Sequence, residues 1–217
     1  MTTDLVIFDC DGVLVDSEAI VIEIEAELLT DAGFRLTADE IADRFVGLSY
    51  PDMMAALESD FGRPVPDGLS QQIQADALAA FPDRLQAVDG MADYLAELSL
   101  PRCVASSSDL DRIELCLRVA GLDQHFAAAH VFSAQMVSRG KPEPDLFLHA
   151  AARMEHPPVA CLVIEDSPHG VMAARAAGMA VVGFVGGGHA RPSLATRLRA
   201  AGAEVVVDRP DQIAAHL

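Results

Sequence analysis

Short apolar runs that end abruptly in polar or glycine-containing segments constrain the fold of this chain more than any other feature. The first run, residues 5–8 (LVIF), is followed at once by the sequence DCDG at residues 9–12. Five similar runs come later, at residues 102–105, 130–132, 161–164, 180–184 and 204–207. Short, uninterrupted apolar runs are typical of strands that are covered on both faces, as in a parallel sheet.

Helical patterns separate the later apolar runs and have recognisable ends. The signals are Ser108-x-x-Asp111 with a stop at Gly121, Pro144, and Ser167-Pro168 with Gly178 just past the helix end. A strand followed by a helix, repeated along the chain, is the pattern of a parallel sheet with helices on both faces. We therefore predict an α/β fold with a doubly wound, Rossmann-like parallel sheet in a three-layer core.

Residues 16–84 break this alternation, because they contain no strand pattern. Four helix patterns fill the segment: residues 17–32, the residues after the capping box Thr37-x-x-Glu40, the residues after Ser49, and residues 69–81. We predict a helical cap domain over residues 16–84. It would be inserted into a catalytic core formed by residues 1–15 and 85–217.

Four polar clusters follow the ends of predicted strands. They are Asp9-x-Asp11-Gly12, Ser106-Ser107-Ser108, Gly140-Lys141-Pro142-x-Pro144-Asp145 and Glu165-Asp166-Ser167. Ligands of open α/β sheets bind at the carboxyl ends of the strands, so we expect these clusters to meet at one edge. Crowded carboxylates repel one another, and a bound Mg²⁺ would relieve that repulsion. A phosphate that bridges the metal, a lysine and a serine would balance the charge, which indicates phosphoryl transfer with a carboxylate as nucleophile.

Charge and composition narrow the class of partner. The chain has 33 acidic and 15 basic residues, a net charge of −18, which argues against nucleic acid and against anionic membrane surfaces. No apolar run is long enough to span a bilayer, and the residues around Asp4 do not resemble a signal peptide. The four cysteines form no CxxC pair, which favours reduced thiols. We expect a cytoplasmic monomer with no nucleic-acid or membrane partner.

Taken in order, the four polar clusters resemble the motifs of the haloacid dehalogenase superfamily of phosphohydrolases, nearly end to end. The inserted helices resemble the small helical cap of the subgroup that contains phosphoglycolate phosphatase, β-phosphoglucomutase and sugar-phosphate phosphatases. The resemblance implies a Mg²⁺-dependent phosphoric monoester hydrolase. Its substrate would be a small-molecule phosphate ester, a sugar or sugar-acid phosphate such as 6-phosphogluconate.

The same resemblance implies a role for each matched residue. Asp9 would be the nucleophile that forms an aspartyl-phosphate, and Asp11 would protonate the leaving oxygen and then activate water. Ser106 and the backbone N–H of Ser107 would hold phosphate oxygens. Lys141 would pair with the phosphate and with the carboxylates.

Four residues are implied as metal ligands. Asp9, the backbone carbonyl of Asp11 and Asp166 would bind Mg²⁺. Glu165 would bind it directly or through a water molecule.

Three further features bear on substrate choice. Residues 186–189 (GGGH) lack the GxxxxGK pattern, so we predict a plain turn at the rim of the site. Arg35, Arg44 and Arg63 are the candidates for binding a second anionic group. The turn at residues 47–49 is expected, by resemblance, to face the site and read the leaving group.

Other functions remain open alternatives. A β-phosphoglucomutase-like mutase would use the same aspartyl-phosphate, but that enzyme carries a histidine and an arginine where this chain has Val21 and Tyr50. A haloacid dehalogenase proper lacks the second aspartate, which is Asp11 here. A phosphorylation-controlled signalling domain also combines carboxylates, a Ser or Thr and a lysine. Its phosphorylated aspartate, however, follows a later strand, and it has no helical insertion.

Overall fold

The computed structural model describes residues 2–46 and 48–217. Six parallel strands form one sheet in the order β3-β2-β1-β4-β5-β6. The strands are β1 (Leu5–Phe8), β2 (Arg102–Ser106), β3 (Val131–Ser133), β4 (Cys161–Glu165), β5 (Ala180–Phe184) and β6 (Val205–Val207). The first strand pairs with β2 on one side and with β4 on the other, so the direction of winding reverses at β1. This confirms the predicted doubly wound sheet.

Helices cover both faces of the sheet. The α-helices of the described residues are α1 (Ser17–Asp31), α2 (Ala38–Phe45), α3 (Tyr50–Phe61), α4 (Leu69–Arg84), α5 (Met91–Glu97), α6 (Leu110–Val119), α7 (Asp145–Arg153), α8 (Pro168–Ala176) and α9 (Pro192–Ala201). Of these, α2 and α3 have no buried residue in the two clusters that contain the strands. The sequence patterns did not single out α5 and α9. Short 3₁₀ turns occupy residues 123–125, 128–130, 134–136, 158–160 and 210–216.

Alternate side chains of β1 enter two different hydrophobic clusters, which defines the three layers. Val6 and Phe8 belong to a cluster that includes residues of α1, α4, α5 and α6. Leu5 and Ile7 belong to a second cluster with residues of α7, α8 and α9. All four side chains of β1 are fully buried. A strand that is covered on both faces needs apolar residues at every position, which explains the unbroken apolar run in the sequence.

The helices α1 to α4 lie between β1 and α5, and they have an apolar cluster of their own. Phe34, Leu57 and Ile73 are completely buried in that cluster, whose buried members all fall between residues 22 and 73. The Thr37 capping box precedes α2 as predicted. This separate cluster supports our proposal that residues 16–84 form a cap domain.

One predicted helix start is wrong. The helix α6 begins at Leu110, with Asp109 at the N-cap position. Ser108 does not cap it, because the Ser108 hydroxyl donates a hydrogen bond to Asp11, 97 residues earlier in the chain. Among the described residues, no helix combines the length and the apolar character needed to cross a membrane.

Candidate active site

A cavity of about 650 Å³ opens at the carboxyl edge of the sheet, between the core and the helices α1 to α4. All four predicted polar clusters reach this cavity or lie directly beneath it. The predicted residues that line it are Asp9, Asp11, Ser106, Ser107, Lys141 and Asp166. Glu165 has no exposed surface and lies next to Lys141. The structure therefore brings together every residue that the sequence singled out for chemistry.

Lys141 joins two of the predicted carboxylates. Its Nζ donates to Asp9 Oδ1 over 2.8 Å, to Glu165 Oε1 over 2.7 Å and to the Ala105 carbonyl over 3.0 Å. The side chain is only 4% exposed. Burial disfavours the charged ammonium, but the two carboxylates outweigh it and raise the pKa of Lys141. Lys141 therefore stays charged in the buried site.

Three buried carboxylates form a group that can hold a cation. Asp9, Glu165 and Asp166 each place an oxygen within 4.8 Å of the others. Burial raises the pKa of Asp9 well above its usual value, Glu165 and Asp166 raise it further, and Lys141 acts in the opposite direction. Burial likewise raises the pKa of Asp166. A donor set made only of oxygens, with repulsion that a cation would relieve, fits a divalent metal ion of the Mg²⁺ type.

Glu165 is held in place by the segment that follows it. Its Oε2 accepts hydrogen bonds from the Ser167 backbone N–H over 2.8 Å and from the Ser167 hydroxyl over 2.9 Å. A Cβ atom on Gly170, in the first turn of α8, would lie 1.7 Å from Glu165 Oε1. Only glycine at this position leaves room for the carboxylate.

Asp11 has different surroundings from the other carboxylates. It accepts hydrogen bonds from Ser17 over 2.6 Å, from Ser108 over 2.7 Å and from Arg112 over 2.8 Å. Burial opposes ionisation of Asp11, but these donors outweigh it, with Arg112 foremost, and lower its pKa. The Asp11 side chain is not part of the cation-holding group, so its implied metal contact through the backbone carbonyl stays a prediction.

Sequence reasoning missed Arg112. It lies in α6, and its guanidinium forms an ion pair with Asp11 in which both side chains are largely buried. The available signal was a single basic residue near the start of the helix that follows the serine cluster. Nothing in the local sequence indicates that this side chain turns toward β1.

The serine cluster, residues 106–108, lines the cavity that Asp9 also lines. Ser106 is the last residue of β2 and is 1% exposed, and its hydroxyl accepts a hydrogen bond from the Ser108 backbone N–H over 3.1 Å. Ser107 is exposed and faces the cavity. Ser106 and Ser107 therefore line the same cavity as Asp9.

The glycine-rich segment at residues 186–189 contains the predicted turn, and it also carries a buried histidine that the sequence did not single out. His189 is 3% exposed, and its Nε2 lies 3.1 Å from Asp166 Oδ2. Glycines permit this approach: a Cβ on Gly187 would lie 2.8 Å from the Gly12 carbonyl oxygen, and a Cβ on Gly12 would lie 1.9 Å from Asp166 Oδ2. The run of three glycines was the signal that the backbone packs closely here.

The basic residues that we expected to meet a second anionic group lie elsewhere, so that prediction is wrong. Arg44 pairs with Asp60, and Arg63 bonds the Ala32 carbonyl and stacks on Phe34. Neither these two arginines nor Arg35 lines the cavity. Of the predicted turn at residues 47–49, residue 47 lies outside the described residues, whereas Leu48 and Ser49 line the cavity.

This chain is similar to known proteins both in sequence and in structure. A family model described as haloacid dehalogenase-like hydrolase matches residues 3–178. The chain is 27% identical to 6-phosphogluconate phosphatase of Escherichia coli (strain K12) over 190 residues, covering 87% of this chain and 86% of the relative. It is 28% identical to hexitol phosphatase B of the same organism over 179 residues, covering 80% and 79%. A solved structure from Agrobacterium tumefaciens str. C58, a conserved haloacid dehalogenase-like protein of unknown function, is 40% identical with a TM-score of 0.94, covering 99% of this chain and 97% of the other.

Proposed function

Because this chain belongs to the haloacid dehalogenase-like hydrolases and is a phosphoric monoester hydrolase, we propose that it hydrolyses a small phosphorylated metabolite through an aspartyl-phosphate on Asp9, with Mg²⁺ as cofactor. One observation carries the proposal. Lys141 contacts both Asp9 and Glu165 within the same buried group as Asp166. Nucleophile, positive charge and metal-holding oxygens therefore share one small volume.

The first chemical step consumes the phosphate ester. A carboxylate oxygen of Asp9 attacks phosphorus in line with the ester oxygen, the P–O bond to the organic group breaks, and that oxygen takes a proton from Asp11. In the second step Asp11 takes a proton from water. The resulting hydroxide attacks the phosphorus of the aspartyl-phosphate, the P–O bond to Asp9 breaks, and inorganic phosphate leaves with the Asp9 carboxylate restored.

Charge balance on the transferring group comes from the surrounding residues. Lys141, the Ser106 hydroxyl and the Ser107 backbone N–H would contact the phosphate oxygens and position phosphorus opposite Asp9. A bound Mg²⁺ would add positive charge that stabilises the equatorial oxygens. Asp9 and Asp166 would hold the ion, with Asp11 contributing its backbone carbonyl. Both oxygens of Glu165 already accept hydrogen bonds, which favours a contact through water for that residue.

For the substrate we propose a sugar, sugar-alcohol or sugar-acid phosphate. The relatives named for 6-phosphogluconate and for hexitol phosphates support this class, and both belong in the substrate panel. We favour hydrolysis over a mutase reaction, because the resemblance matches the histidine and the arginine of the mutase to Val21 and Tyr50 of this chain. Glucose 1-phosphate isomerisation, assayed beside phosphate release, separates the two reactions.

The test of the mechanism is the variant Asp9→Asn. An amide cannot attack phosphorus, so we expect phosphate release from every ester in the panel to fall to background while the circular dichroism spectrum stays unchanged. The matched control is Asp4→Asn, the same substitution at an exposed position, which should keep wild-type rates. Wild-type activity in Asp9→Asn on any ester would exclude the mechanism.

The metal requirement is tested with the same assay. Treatment with EDTA should abolish phosphate release, and added Mg²⁺ should restore it. Because the cation would relieve repulsion within a buried acidic group, we also expect added Mg²⁺ to raise the melting temperature. Full activity after exhaustive chelation would contradict the assignment of Mg²⁺.

A further inference from the structure

The wall of the cavity that helices α1 to α4 contribute contains a buried acidic residue. Glu25, in the middle of α1, is 7% exposed and lines the cavity. Tyr50, the first residue of α3, also lines it and is hydrogen-bonded to the Glu25 carboxylate. The proposed chemistry at Asp9 uses neither residue.

The protonation of this pair makes it suitable for neutral polar groups. Burial, helped by the nearby Glu18 carboxylate, raises the pKa of Glu25 to about 8, although the hydrogen bond from Tyr50 acts in the opposite direction. Burial also raises the pKa of Tyr50. Near neutral pH the pair therefore presents both hydrogen-bond donors and acceptors and little net charge, the combination that a hydroxyl group matches.

The described residues on this side of the cavity carry no positive charge. None of the described lining residues between 17 and 84 is basic, whereas Glu18, Glu25 and Asp52 are acidic. The basic lining residues belong to the other side: Arg112 is paired with Asp11, Lys141 is paired with Asp9, and His169 lies in α8. An anionic group at the Glu25 end would be buried beside carboxylates without a cation.

We propose that Glu25 and Tyr50 form a subsite for the hydroxyl groups of the leaving group, so that the enzyme selects an uncharged polyol phosphate over an analogue with a carboxylate at that end. This inference rests on the proposed phosphatase function and narrows its substrate class. Because Tyr50 already donates its proton to Glu25, a substrate hydroxyl can accept from the protonated Glu25 carboxyl and donate to an oxygen of the pair. A carboxylate can satisfy only the acceptor half of that pattern and adds a buried, unpaired charge.

Two esters test the proposal directly. Glucitol 6-phosphate and 6-phosphogluconate share the same carbon chain and differ only at the end remote from phosphorus, a hydroxymethyl group in one and a carboxylate in the other. For the wild-type enzyme with Mg²⁺ we expect kcat/KM for glucitol 6-phosphate to be higher by at least about tenfold. Equal values, or a preference for 6-phosphogluconate, would overturn the proposal.

The variant Glu25→Gln assigns the preference to this residue. The amide offers an N–H donor at every pH, whereas Glu25 loses its O–H donor as it ionises near pH 8, so we expect the ratio of the two kcat/KM values, measured at about pH 8.5, to fall about tenfold or more in the variant. A purely structural role would lower both values together and leave the ratio intact, and that result would contradict the proposal. The matched control is Glu27→Gln, which makes the same substitution at an exposed position two residues further along α1.

A second variant keeps the test decisive if Glu25→Gln does not fold. Tyr50→Phe removes only the phenol hydroxyl, and it should lower kcat/KM for glucitol 6-phosphate more than for 6-phosphogluconate.

A third ester, p-nitrophenyl phosphate, has no hydroxyl groups to recognise. It therefore distinguishes a failure of the hydroxyl subsite from a failure of the phosphatase function. If it is hydrolysed but neither hexose derivative is, the phosphatase function stands and the hydroxyl subsite is wrong. If no ester releases phosphate, the proposed function fails and the subsite fails with it.

Discussion

The surroundings of Asp11 favour its ionised form, which bears on the two roles that we propose for it. Arg112, Ser17 and Ser108 hold it as a carboxylate and lower its pKa against the effect of burial. A carboxylate is the form that accepts a proton from water in the proposed second step. The proposed first step needs a protonated Asp11, for which the Arg112 contact would have to loosen when substrate binds, so we propose Arg112 as a positioning residue for Asp11.

Glu25 is a residue whose ionisation opposes folding, and this gives a prediction about stability. Its pKa rises from 4.5 to about 8 on folding. Between those values the unfolded chain loses the Glu25 proton while the folded chain retains it, so rising pH destabilises the folded state by up to about 1.4 kcal/mol per pH unit. Glu25→Gln removes this effect. We expect the free energy of unfolding of the variant to gain on that of wild type as pH rises from about 5 to about 8.

Urea denaturation at a series of pH values measures that difference. Exposed Glu27→Gln is again the control, and its difference from wild type should not follow the same course. A constant difference between wild type and Glu25→Gln over the whole range would contradict the raised pKa.

At the scale of one element, the start of α8 determines where Glu165 lies. Ser167 accepts a hydrogen bond from the Gly170 backbone N–H over 3.0 Å and also donates to Glu165 Oε2. The N-cap of a helix and the support of a proposed outer metal contact are therefore one hydrogen-bonded unit. Residues around a metal site that orient its ligands commonly change metal affinity by about 10–100-fold when they are altered.

Gly170→Ala tests this coupling. The new Cβ would lie 1.7 Å from Glu165 Oε1, so the carboxylate or the first turn of α8 must move. We expect the Mg²⁺ concentration that gives half-maximal activity to rise by about tenfold or more. Gly140→Ala, next to Lys141, is the control, because its Cβ would meet only Ala134 at an ordinary 3.8 Å. An unchanged Mg²⁺ requirement in Gly170→Ala would show that the position of Glu165 does not matter for the metal.

At the scale of the whole molecule, polar contacts connect the helical segment to the loop between β5 and α9. Asp16 accepts a hydrogen bond from the Gly188 backbone N–H over 2.9 Å. Arg191, just before α9, pairs with Asp39 of α2 over 2.8 Å. Because Phe45 at the end of α2 lines the cavity, these contacts link the loop that carries His189 to the cavity wall.

Removing the Arg191 contact should affect substrate binding more than stability. Asp39 is 81% exposed in this ion pair, so Arg191→Ala should change the free energy of unfolding by less than about 1 kcal/mol. We expect KM to rise by up to about fivefold with a smaller change in kcat, since the wall formed by α2 is held less firmly. The control is Arg209→Ala, which removes an exposed ion pair with Asp211 away from this contact. A change in kcat with no change in KM would contradict the proposed effect of the Arg191–Asp39 ion pair on substrate binding.

Much of the fold is encoded locally. All six predicted strands are present, because a buried parallel strand needs only a few consecutive apolar residues and a turn signal after it. The residues of the four polar clusters also meet as predicted, because each follows a strand and the carboxyl ends of parallel strands share one edge. The Thr37 capping box and the Ser167 N-cap were readable for the same reason, since a cap involves residues only three apart.

The sequence by itself therefore determined the sheet, the helical insertion pattern and the residues that could carry phosphoryl transfer. Only the tertiary structure decided that Ser108 turns to Asp11 instead of capping α6, that Arg112 and His189 join the site, and that Arg44 and Arg63 do not. The physical reason is the separation along the chain over which each signal acts. Strand and cap signals depend on neighbours within a few residues, whereas the direction of a long side chain depends on which distant segment packs against it.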